Sequence, residues 1–197
     1  MKEQRAGSTQ FAVKAKLAQP NLITKTLIGI NLAVFVYGLT LRSVSGSGRL
    51  TSLDVDFALF APNVANGEWY RIVTSGFLHS GFLHVAMNMY ALWVLGAAIE
   101  SMVGRVRFLG IYIVALFGGS AGALALDALQ NTPRLTVGAS GAIYGLFGAL
   151  AVALHRSGRS IFASGGGRFQ FGIGEILVLN LVLTLTVPGI SIGGHLG

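Results

Sequence analysis

The sequence predicts an all-α protein that crosses a membrane several times, and three observations predict it. Of its 197 residues, 53% are hydrophobic and only 11% charged, against roughly 25% charged in soluble domains. Most of the charges it does carry fall at segment ends rather than inside the apolar runs. Its 28 glycines suit helices packed at close range within a bilayer. Cysteine is absent, which excludes disulfides and thiolate metal sites. A net charge of +7 would suit nucleic acid. The basic residues stand where membrane topology would place them, however, so no nucleic-acid partner is expected.

Each element follows from the order of apolar and polar stretches. Residues 1–20 are polar and basic (Lys2, Arg5, Lys14, Lys16) and lack the apolar core and cleavage site of a signal peptide. They read as a cytoplasmic tail that can lie on anionic lipid through Phe11, Val13 and Leu17. The membrane domain is expected over 21–197, with spans at about 22–41, 81–101, 106–126, 135–154 and 171–187. Residues 42–78 form a long connection, too polar at 43–56 to span, whose aromatic residues predict a place in the membrane interface. Arg105 and Arg107 fill a short turn, and 157–168 is a Gly- and Ser-rich loop.

Pro188-Gly189 breaks the fifth span, and 190–197 begins a sixth apolar segment. Only eight residues remain there, whereas a crossing takes about 20. The expectation is therefore a truncated sixth span and weak or absent activity. The missing helix would be the one that packs on Gly141 and Gly145. With the N-terminus inside, the inner segments hold ten Lys and Arg residues and the outer ones only Arg42, Arg49, Arg71 and Arg134. The long first loop and the start of the fourth span then face outward.

The fourth span opens with Gly138, Ser140, Gly141, Tyr144, Gly145 and Gly148 in an otherwise apolar run. At a helix start, free N–H groups and the helix dipole favour developing negative charge. Ser140 there reads either as a nucleophile or as an N-cap or small packing residue. His84 and Asn88 are four residues apart on one face of the second span, with His79 just before it. Polar groups at such depth mark function or hydrogen-bond neighbouring helices. His195 lies between glycines in the last segment, a candidate general base beside a Gly-flanked serine. His155 stands with Arg156 and Arg159 at the inner interface and is assigned no chemistry. Glu100 reads as a turn partner of Arg105 and Arg107. No H-E-x-x-H cluster is present, which argues against a metalloprotease. The spans lack paired carboxylates or a charged pathway, which argues against a transporter.

Taken together, these residues resemble the rhomboid family of intramembrane serine proteases, from the first span to the last residue. Gly138–Gly141 matches the family's G-x-S-G nucleophile motif, and His79 through Asn88 matches its H-x-x-x-x-H-x-x-x-N element. Glu68-Trp69-Tyr70-Arg71 looks like the first-loop W-R motif with one residue inserted, and Glu100-x-x-x-Gly104 like the end of the second span. Gly194-His195 would begin the (A/G)-H-x-x-G motif. The resemblance implies a six-helix bundle and a Ser140–His195 dyad. It also implies an oxyanion hole made by the Ser140 N–H with His84 and Asn88, and a Tyr144 packed beside the catalytic histidine. It implies single-span membrane protein substrates, cut in or near their transmembrane helices, and no cofactor. The compact layout suits a bacterial plasma membrane, with the active site opening to the outer side. The alternative is a rhomboid-like pseudoprotease that binds membrane helices without cutting them. The presence of both Ser140 and His195 argues against it.

Overall fold

The computed structural model describes residues 21–42, 51–158, 174 and 178. The expected tail at 1–20, the fifth span at 171–187 and the sixth segment at 190–197 lie outside the described residues. Within them the secondary structure is helical, apart from one isolated antiparallel bridge. Four long helices make the body: α1 (Leu22–Arg42), α5 (Phe82–Val103), α6 (Arg105–Gln130) and α7 (Ser140–Arg156). Between α1 and α5 lie the short helices α2 (Ser52–Phe57), α3 (Ala61–Ala65) and α4 (Arg71–Thr74), then a 3₁₀ turn at Ser75–Phe77. Among the described residues, α1, α5 and α6 are long and apolar enough to cross a membrane.

The long helices alternate in direction. Gly104 turns the chain between α5 and α6 at φ +83, a left-handed conformation that favours glycine. Glu100, near the end of α5, reaches the start of α1, where its carboxylate accepts from Ile23 N (3.0 Å), Thr24 N (2.9 Å) and Thr24 Oγ1 (2.8 Å). It caps the free N–H groups of that helix and faces the positive end of its dipole. This replaces the expected pairing with Arg105 and Arg107. Sequence proximity favoured those arginines, but α1 starts beside the buried Glu100 side chain and satisfies it.

The main core cluster draws on all four long helices: Leu27 and Phe35 of α1, Leu92 and Leu95 of α5, Phe108 and Tyr112 of α6, Ile143 and Leu146 of α7. A smaller one joins Leu59 and Val64 of the loop to Ala123 of α6. In a bilayer such contacts stabilise through close fit rather than through removal from water. Gly145 shows that fit, because a Cβ placed there would collide with Ala115 of α6. At Gly145 the small-residue face of α7 thus receives the third span; the sixth segment, to which the sequence assigned that face, lies outside the described residues. Small residues on both helices let those two backbones approach.

The fourth long helix begins at Ser140, not at Leu135. Thr136 is instead tied across to the loop, donating to Leu59 O at 2.9 Å and accepting from Leu59 N at 3.0 Å. Gly138 N donates to Ser75 O at 2.9 Å. These bonds hold the approach to α7 extended and fix where the helix starts.

Candidate active site

The loop between α1 and α5 is built before the site can be. Thr51 and Asp54 form a reciprocal capping box at α2, with Thr51 N donating to Asp54 Oδ2 at 2.8 Å and Asp54 N to Thr51 Oγ1 at 3.2 Å. Arg71 is buried and donates from Nη1 to the carbonyls of Val55 and Ala58, both at 2.9 Å, and from Nε to Glu68 at 2.6 Å. Glu68 also accepts from Asn63 (2.8 Å) and the Tyr70 hydroxyl (2.8 Å). The Arg71 hydrogen bond, followed by that of Tyr70, holds the Glu68 carboxyl below its usual range. In the W-R element it is therefore Arg71 that is buried among partners, while Trp69 points outward. Ser120 of α6 donates to Ile72 O at 2.9 Å and anchors the loop to the bundle.

From this frame the chain passes through Ser75, whose carbonyl seats Gly138, and on to His79 and α5. Gly138 has φ +127, a backbone state closed to most side chains. A Cβ there would lie 2.8 Å from His84 Nε2, 2.9 Å from His84 Cε1 and 3.6 Å from Ser140 Oγ. The His84 ring and the Ser140 hydroxyl therefore converge on one bare stretch of backbone. Ser140 is the first residue of α7, Ala139 is its N-cap, and no side chain caps the helix. This removes the N-cap reading of Ser140. It leaves the first-turn N–H groups, including that of Ser140, without partners inside the helix.

The remaining predicted residues surround this point. His84 Nδ1 lies 3.1 Å from Ser80 Oγ. Its ring meets the His79 ring edge to face, with centroids 5.0 Å apart. His79 is buried, with neither ring nitrogen in hydrogen-bond geometry. Burial pushes its pKa from 6.5 down to about 3, the nearby His84 adding to the effect and the backbone of Phe77 opposing it. His79 is thus a neutral wall behind His84. Asn88 is buried one turn along α5 and donates to His84 O at 2.9 Å. That bond uses one amide hydrogen and leaves the second. Tyr144 lies one turn along α7 from Ser140, its ring 6.1 Å from that of Phe147. Gly141 follows Ser140 in the first turn. His195 lies outside the described residues. Among the described residues, no group of three or more His, Asp or Glu side chains could hold a metal ion. Sequence reasoning gave no role to Ser75 or Ser80, since neither carries a signal until the loop and the ring are placed around it.

Comparisons with known proteins place the chain in a family. A family model described as Rhomboid domain matches residues 66–197, which takes in Arg71, His79, His84, Asn88 and Ser140. The chain is 35% identical over 190 residues to Rhomboid protease GluP of Bacillus subtilis (strain 168), covering 95% of this chain and 35% of that protein. It is 31% identical over 163 residues to Rhomboid protease AarA of Providencia stuartii, covering 73% of this chain and 56% of that protein. With Putative rhomboid protease YdcA of Bacillus subtilis (strain 168) it shares 42% identity over 85 residues, covering 43% of this chain and 41% of that protein. The chain spans from about a third to just over half the length of these relatives. A loop folded on a buried arginine, a serine opening a glycine-rich helix and a family match over most of the chain lead to one placement: this is an integral, all-α membrane protein of the rhomboid family.

Proposed function

We propose that this protein is an intramembrane serine endopeptidase that cleaves transmembrane segments of single-span membrane proteins. The observation that carries the reading is that His84 Nε2 and Ser140 Oγ both approach the bare backbone of Gly138, at a helix start that no side chain caps. In this account Ser140 Oγ attacks the scissile carbonyl while His195 takes its proton. His195 then gives that proton to the departing amine, and water releases the acyl group by the same route in reverse. The negative charge on the carbonyl oxygen is met by the Ser140 N–H, His84 and the remaining amide hydrogen of Asn88. In a water-poor setting such donors count for more than they do in bulk solvent. Tyr144, His79, Gly138 and Gly141 shape the walls.

The wider proposal follows the same reading. Residues 1–20 form a cytoplasmic tail, and 21–197 supply the helices of a six-helix bundle in a bacterial plasma membrane. The site opens to the outer side, below the first loop, where water can enter. No cofactor takes part. The direct test is cleavage of a model single-span substrate in liposomes by the wild type and by Ser140→Ala. The variant is expected to bind substrate and keep its fold while cleavage disappears. Cleavage by Ser140→Ala at more than a trace overturns the assignment. Binding without cleavage by either protein favours the pseudoprotease reading.

A further inference from the structure

The two nitrogens of the His84 ring have different neighbours. Nε2 lies against Gly138, on the side where a Cβ would also come within 3.6 Å of Ser140 Oγ, while Nδ1 lies 3.1 Å from Ser80 Oγ. A neutral imidazole carries one N–H and one lone pair, and the bond made by one nitrogen decides what the other offers. If Nδ1 carried the proton, Nε2 would turn a lone pair toward the position of the carbonyl oxygen and repel charge developing there. If Nδ1 accepts a hydrogen bond, Nε2 carries the proton and attracts that charge.

We propose that Ser80 is a positioning residue: its hydroxyl donates to His84 Nδ1 and so fixes the Nε2–H tautomer that faces Ser140. The inference rests on the reading of His84 as an oxyanion donor. Three observations favour it. Ser80 precedes α5 by one extended residue, Gly81, and its hydroxyl reaches the ring of His84 in the first turn. The other histidine against the ring, His79, makes an edge-to-face contact and no hydrogen bond. Asn88 bonds the His84 carbonyl rather than the ring, so it does not compete for Nδ1. Ser80 is itself exposed, so its loss removes the bond without opening the core.

The test combines nitrogen NMR of protein carrying labelled histidine in micelles with kinetics on a single-span substrate. The His84 signals are assigned by their loss in His84→Asn. The wild type and Ser80→Thr are expected to show a protonated Nε2 and an acceptor Nδ1, whereas Ser80→Ala shows a mixture of tautomers. Cleavage by Ser80→Ala should fall about three- to tenfold in kcat with KM unchanged, the scale of one neutral hydrogen bond, and Ser80→Thr should restore it. A wild-type ring protonated on Nδ1, or a tautomer unchanged in Ser80→Ala, overturns the proposal. Full cleavage by His84→Ala overturns instead the oxyanion reading beneath it, a result the NMR measurement cannot mimic.

Discussion

At the scale of single residues, Gly138 decides the geometry of the site. Two independent constraints act on it, a φ of +127 and a His84 ring nitrogen 2.8 Å from any added Cβ. An alanine there meets backbone strain of about 1–3 kcal/mol and must displace the imidazole. The ring is held on two other sides, by the His79 ring and by Ser80 at Nδ1. Gly138→Ala is therefore expected to stay folded, as read by circular dichroism, while cleavage drops by about 100-fold, the effect of a small misplacement at a reacting centre. Wild-type turnover in this variant would mean that the contact with His84 does not matter to the chemistry. Gly138, Ser140, His79, His84 and Asn88 were all legible in the sequence, because glycines around a serine and polar groups in an apolar helix stand out. Ser80 was not, since a serine before a helix says nothing until the ring beside it is oriented.

At the scale of elements, the bundle depends on helix ends that are satisfied by distant partners. Glu100 takes three hydrogen bonds from the first turn of α1, 76 and 77 residues away in sequence. Glu100→Gln keeps the shape but turns an amide donor toward groups that are donors themselves. A buried donor left unsatisfied costs about 1–3 kcal/mol, and stability in micelles should fall by that amount on thermal or denaturant unfolding. Unchanged stability would show that α1 is held by packing alone. Local pattern could not reveal this cap, because the sequence offered two closer arginines. The start of α7 was misjudged for a related reason. Leu135–Val137 is apolar enough to extend a span, but its backbone is bound to the loop at Leu59. The Gly145 contact with Ala115 was likewise invisible, since a small-residue face names no partner. The Thr51–Asp54 capping box, by contrast, was open to reading as a T-x-x-D pattern.

At the scale of the whole molecule, hydropathy located α1, α5 and α6 within a few residues of their observed ends. It succeeds because a bilayer forces each spanning segment to satisfy its own backbone and to present apolar side chains over a set length. The described helices bring the loop, the start of α5 and the start of α7 together around Gly138, against which His84 and Ser140 both lie. The central claim is that Ser140 is a nucleophile made reactive by that setting and by His195. It is tested most directly by treating the protein in liposomes with a fluorophosphonate probe and locating the adduct by mass spectrometry. A single adduct on Ser140 is expected, absent in Ser140→Ala and strongly reduced in His195→Ala. An adduct on another serine, or equal labelling of Ser140 without His195, would contradict it.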